Sequence, residues 1–250
     1  MTIRFATCNI LFDDGKSEPR WEQRAKHLVK LISELSPDVI ATQEGRKDQL
    51  LDLRDMLAAD YELVEKHRNW DTVKMYPCLF IKRNQVTCLE SYDRWLSETP
   101  TVEHSKSFGS RWPKLATIAK LKKDNQLFTA ASFHLDNVAA DARPLQAEVL
   151  IEQCQGLRGD SPVVLLGDAN DEPGSKTIEV FKEHKYQDPF SWASTPYTFH
   201  GFKEKTHDHR IDFILHDDKM SAITSFVDFR SKDHYSDHFM VVSDLSLKDS

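Results

Sequence analysis

The period of the apolar positions changes repeatedly along the chain, and each change predicts an element. Ile3, Phe5 and Thr7 alternate with Arg4, Ala6 and Cys8, the two-residue period of a strand, which ends at Asn9. Beyond a polar turn the period lengthens. Trp21, Ala25, Leu28, Ile32 and Leu35 recur at helical spacing, with Pro19 placed to open the helix and Ser36-Pro37 to stop it. A second apolar strand, DVIATQE, delivers Gln43 and Glu44 at its end, and Lys47 to Ala59 then repeats Leu50, Leu53 and Leu57 on one helical face.

Tyr61 to Val64, Cys78 to Ile81 and Val86 to Leu89 read as short strands in a meander, whereas Trp95 to Lys114 is polar and irregular. Leu115 to Leu121 and Leu127 to Phe133 flank a KKDNQ turn as a hairpin ending at His134, and Ala142 to Leu157 is helical. Val163 to Leu166 is an unbroken apolar run between Pro162 and Gly167, which suits a strand buried on both faces. A short helix over Ser175 to His184 and a loop follow. Ile211 to Leu215 and Ile223 to Phe229 are expected to pair side by side, and Phe239 to Leu245 is the last strand. Early alternation of strands and helices, with strands dominating late, predicts an α/β fold in which two mixed sheets pack face to face with helices outside.

The strand ends collect the polar residues: Asn9, Glu44, His134, Asp168, Asn170, Asp212, Asp237 and His238. Taken singly, each has an ordinary explanation as a cap or turn former. Asp212 is the exception, because a carboxylate flanked by Ile211 and Phe213 needs a buried partner, and a histidine would suit. Four carboxylates sharing one crevice repel one another unless a cation sits among them. Oxygen donors without cysteine spacing select a hard ion, Mg²⁺ with Mn²⁺ as a substitute, over a structural zinc. His200, His207 and His209 lack a fourth ligand at fitting spacing for zinc.

Composition narrows the classes. The 40% hydrophobic and 10% aromatic content is ample for one core, and no linker composition or repeat divides the 250 residues, so a single domain over 1–250 is expected. A net charge of -7 disfavours tight sequence-independent binding to a long polyanion. The four cysteines show no CxxC spacing, and no apolar run reaches the roughly 18 residues of a membrane span. A cytoplasmic, monomeric protein is expected.

TCNI, TQE, SETP, the strand-end His134, GDAN, RIDF and SDH, in this order from about Ile3 to Val242, resemble the endonuclease/exonuclease/phosphatase superfamily. The resemblance implies a four-layer α/β sandwich like that of deoxyribonuclease I and Mg²⁺-dependent in-line attack of water on phosphorus. It implies Glu44 as the main metal ligand with Asn9 and Asp237 beside it, and Asp168 as the group that orients and deprotonates the water. Asn170 would hold the phosphate, and Asp212 would pair with His238. His134 would bind the phosphate or assist the leaving oxygen. Arg111 or Lys114, following SETP, would touch substrate phosphate. The resemblance implies a phosphate-ester substrate, of nucleic acid, nucleotide, sugar or lipid headgroup. Leu11 stands where apurinic endonucleases carry an acidic residue, so one carboxylate of that branch is absent. A silent relative that binds phosphorylated ligands or protein partners is the rival reading.

Overall fold

Strand β1 (Thr2–Asn9) runs parallel to β2 (Val39–Arg46) through helix α1 (Trp21–Leu35), and β7 (Gln126–His134) runs parallel to β8 (Val163–Asp168) through α3 (Ala142–Arg158). These two crossover units place Asn9, Glu44, His134 and Asp168 together at the carboxyl ends of parallel strands, where α/β folds present their ligand crevices. The computed structural model describes residues 1–16, 18–202, 209–230 and 235–248.

The first sheet has the order β10 (Met220–Asp228), β11 (Met240–Leu247), β1, β2, β4 (Met75–Lys82), β3 (Tyr61–Leu63). The second has the order β5 (Val86–Trp95), β6 (Leu115–Lys123), β7, β8, β9 (Asp212–His216). Between them lies a core of Phe5, Ala41, Leu79, Phe128, Val164 and Leu166. Helices α1 and α2 (Lys47–Met56) cover the outer face of the first sheet through Trp21, Leu28, Ile32 and Leu50. Helices α3 and α4 (Lys176–Glu183) cover the second through Leu150, Ile151, Ile178 and Phe181. The four layers expected from the sequence are all present.

Local chemistry explains the boundaries. α1 starts at Trp21, two residues after Pro19, with Arg20 in an extended conformation at its N-cap, so Pro19 precedes the helix instead of opening it. At its other end Ser36 turns left-handed and its N–H bonds the Ile32 carbonyl at 2.7 Å, before Pro37 prevents continuation. Ser175 caps α4, its hydroxyl accepting the Ile178 N–H.

Two pairings differ from expectation. The meander holds for β3 and β4, which pair antiparallel, and stops there, because β4 already carries β2 on its other edge, so β5 pairs with β6 in the second sheet. Likewise β9 and β10 do not pair. β9 is buried throughout and lies on β8, whereas β10 is exposed over Ala222 to Thr224 and forms the edge of the other sheet against β11. Among the described residues no helix is long and apolar enough to cross a membrane.

Candidate active site

Register brings the strand-end residues into contact. Pairing of β7 with β8 sets His134 opposite Asp168, and pairing of β8 with β9 sets Asp168 opposite Asp212. From the other sheet Asn9 donates through Nδ2 to Asp168 Oδ2 at 3.1 Å. Asp168 therefore sits at the seam between the two sheets, 1% exposed. Gly167 makes this possible, since a Cβ there would lie 2.0 Å from the Phe133 carbonyl oxygen. A second link crosses the seam below it, where the buried Gln43 amide donates to Ser132 Oγ at 3.1 Å.

Glu44 leaves the strand alternation. The β2–β4 register slips between Thr42 and Gly45, and Glu44 takes φ 65°, a conformation uncommon for a residue with a Cβ. This turn brings Glu44 Oε1 to 3.9 Å from His134 Nε2, which is itself 3.6 Å from Asp168 Oδ2. Ligand atoms of Glu44, His134 and Asp168 all lie within 4.8 Å of one another, as do those of Asp168, Asp212 and His238. Asp168 is common to both groups. Two buried atoms within them, His134 Nε2 and Asp212 Oδ1, have no hydrogen-bond partner. A set of mostly carboxylate oxygens with unsatisfied inward atoms fits a divalent cation.

The charges are strongly perturbed. Burial first, then the neighbouring Asp212 charge, push Asp168 up to about 7, against the backbone N–H of Asn170 that bonds its Oδ1 at 2.7 Å. Burial alone would depress His238, yet the Asp212 carboxylate 2.8 Å from its Nδ1, with Asp168 and Asp237 beyond, pushes it up to about 10. His238 is thus an imidazolium with Nδ1–H spent on Asp212 and Nε2 lying 4.0 Å from both Asp168 and Asp237. Burial, Lys114 and His238 hold His134 well below its ordinary value, so it is neutral. Lys114 is buried, and that burial lowers its proton affinity against the opposing charges of Asp136, Asp168 and Glu44.

Every residue of the expected phosphoesterase site lies among the described residues. Asn9, Glu44, His134, Asp168, Asp212 and His238 converge directly. Asp237 joins at the edge through His238, and Asn170, at φ 50°, donates its side-chain amide to the Leu135 carbonyl at 3.0 Å. Lys114 faces the carboxylates, whereas Arg111 is exposed and lies over the Trp112 ring. Among nearby aromatic residues, Trp95 is buried, Trp112 is exposed and Phe199 lies 4.9 Å from the His238 ring. His200 is buried and His209 meets Glu172, away from any shared metal cluster among the described residues, and His207 lies outside those residues.

The sequence reading missed several supports. Thr198 Oγ1 accepts the backbone N–H groups of Ile211 and Asp212, both at 3.1 Å, and fixes the start of β9. Arg143 joins two strand-end loops, its guanidinium meeting Asp171 at 3.2 Å and donating to the Asp136 carbonyl at 3.4 Å. Arg24 on α1 is the third, and its only sequence signal is a charged residue beside Ala25 on an otherwise apolar helical face.

Comparison with known proteins agrees with this fold. The model of the Endonuclease/Exonuclease/phosphatase family matches residues 6–238. A crystal structure of an endonuclease/exonuclease/phosphatase from Bacteroides vulgatus superposes with TM-score 0.92 at 26% identity, covering 99% of this chain and 100% of the other. The Bacteroides thetaiotaomicron mannosyl-6-phosphatase superposes with TM-score 0.84 at 22% identity, over 98% and 100% of the two chains. Protein angel of Drosophila melanogaster is 23% identical over 164 residues, 64% of this chain, and the match spans about half, 46%, of that relative's length.

Proposed function

The chain belongs to the endonuclease/exonuclease/phosphatase family, and on that footing we propose that it hydrolyses phosphate esters by in-line attack of an Asp168-activated water on phosphorus, assisted by Mg²⁺. The observation that carries this reading is the position of Asp168, shared by the Glu44–His134 group and the Asp212–His238 group. The whole span 1–250 is read as one catalytic domain, because both sheets and both ends of the chain contribute to the site.

Glu44 would hold the cation, with Asn9 and Asp237 flanking it. Bound there, the ion supplies Lewis-acid withdrawal of charge from a phosphoryl oxygen. Asp168, with its proton affinity raised by burial, suits a general base working near neutrality. Asn9 donates to one of its oxygens and the Asn170 backbone to the other, so the carboxylate is held in one orientation. His238, kept charged and aimed by Asp212, donates from Nε2 to a phosphoryl oxygen as negative charge builds there. Asn170 commits one amide hydrogen to Leu135 and offers the second to phosphate. The Lys114 ammonium adds positive charge from the side of Asp136, and neutral His134 stands beside the leaving oxygen.

The net charge of -7 favours small or single-stranded phosphate esters over a duplex. The mannosyl-6-phosphatase likeness supports including sugar phosphates among them. The test is a panel of p-nitrophenyl phosphate, bis-p-nitrophenyl phosphate, hexose 6-phosphates, single-stranded DNA and RNA, and lipid headgroup esters, each with Mg²⁺, Mn²⁺ or EDTA. Hydrolysis of at least one ester that stops in EDTA is the expected result. No turnover on any member would defeat the proposal.

A further inference from the structure

Arg24 is 2% exposed, and its described hydrogen bonds all end on main-chain carbonyls. Nε donates to Pro19 at 3.0 Å, Nη2 to Leu11 at 3.0 Å, and Nη1 to both Ile10 and Tyr235, the latter at 3.0 Å. Burying a guanidinium against neutral acceptors, with no carboxylate in contact among the described residues, is costly. Burial does lower its proton affinity, opposed only by Asp13, Asp237 and Glu44 at longer range.

The acceptors show what this residue accomplishes. Ile10 and Leu11 directly follow Asn9, and Tyr235 stands two residues before Asp237. One nitrogen, Nη1, therefore ties the loop leaving β1 to the loop entering β11. The tie extends to the side chains. Leu11, at φ 51°, donates its N–H to Asn9 Oδ1 at 3.0 Å, and the next N–H, that of Phe12, reaches Glu44 Oε2 at 3.4 Å. The Leu11 carbonyl also takes the Gln49 amide at 3.1 Å, so this turn is held from α1 and α2 together.

We propose that Arg24 is a positioning residue that fixes the spacing of Asn9, Glu44 and Asp237 and thereby sets the divalent-cation affinity of the site. This rests on the reading that those three residues hold the cation. Charge and geometry make opposite demands here, which makes the proposal sharp. As a positive charge near Asp237 and Glu44, Arg24 opposes an incoming cation, so deleting the charge alone would tighten binding. As a fork spanning two loops, it preorganises the ligands, so deleting the fork weakens binding. A lysine keeps the charge and loses the fork, because its ammonium cannot span the carbonyls that three guanidinium nitrogens reach.

The experiment measures Mn²⁺ binding directly, from the electron paramagnetic resonance signal of free Mn²⁺, in wild type, Arg24→Lys and Arg24→Met. Leu150→Ala, a core change on α3, controls for general destabilisation, and melting in EDTA verifies the fold of each protein. Both Arg24 variants should bind Mn²⁺ more weakly by about tenfold or more, the range for residues that orient metal ligands, while turnover at saturating Mn²⁺ changes much less. Leu150→Ala should bind as wild type does. If Arg24→Met does not fold, Arg24→Lys alone decides. Binding as tight as wild type or tighter in a folded Arg24 variant overturns the proposal, as does equal weakening by Leu150→Ala. Absence of Mn²⁺ binding by wild type defeats the metal reading beneath it, a result distinguishable from failure of the Arg24 variants alone.

Discussion

His238 Nδ1 lies 2.8 Å from Asp212 Oδ2, and both residues are buried, in a pair that joins the loop entering β11 of one sheet to the start of β9, the edge strand of the other. Because Nδ1–H is committed to Asp212, the orientation of the ring and the aim of its Nε2–H are both fixed. The imidazolium also survives far above its ordinary range because the carboxylate outweighs the cost of burial.

Asp212→Asn keeps the shape and removes the charge. Turnover should fall by at least about tenfold, the scale on which positioned acid–base groups contribute. Asp212 and the carboxylates beyond it raise His238 to about 10 in the metal-free fold, so losing the Asp212 charge should move the alkaline limit of the pH–rate profile toward neutrality. Steady-state kinetics from pH 5 to 10 give both quantities, and an unchanged profile would assign Asp212 to structure alone.

Cation binding should stabilise the fold, and more so at high pH. Asp168 takes its proton at about 7 in the metal-free fold, against 3.8 for the ordinary carboxyl. Between those values the folded state holds the proton and the unfolded chain does not, so metal-free stability falls as pH rises through this window. A cation offsets both the burial of the Asp168 charge and the Asp212 repulsion that cause this loss. Mg²⁺ at about a hundredfold over its Kd should raise Tm by on the order of 5 to 10 °C at pH 8, and by less at pH 5.5. Calorimetry with and without EDTA checks both the sign and the order.

Lys114 and Arg111 were equal candidates for phosphate contact on sequence, and the structure separates them. Lys114 is buried facing Asp136, Asp168 and Glu44, whereas Arg111 is exposed over Trp112. Lys114→Gln should raise KM for a phosphate ester by about tenfold, near the value of one charge-assisted hydrogen bond. Arg111→Gln should change it by less than about threefold. Equal effects in the two variants would contradict the assignment.

Much of the site was legible because its residues end strands whose apolar patterns are plain: VVLLGD places Asp168, and DVIATQE places Glu44. The Asp212–His238 pairing could be anticipated from a carboxylate set between Ile211 and Phe213. Strand pairing was less legible. Nothing in the short run at Val86 says that β4 has no free edge, and β10 follows β9 in sequence yet joins the opposite sheet. Such choices depend on which edges distant strands have already filled. The left-handed turn at Glu44 was hidden for the same reason, since it follows from a register slip against β4. Arg24 went unnoticed because its partners are main-chain carbonyls, which leave no mark on sequence.

The central claim is that Asp168 activates the attacking water, and its most direct test is turnover of a phosphate ester by Asp168→Asn at saturating Mg²⁺, in protein shown to be folded. The account predicts a loss in kcat of about a hundredfold to ten-thousandfold. A variant that keeps more than about a tenth of wild-type turnover, far above that range, would contradict it.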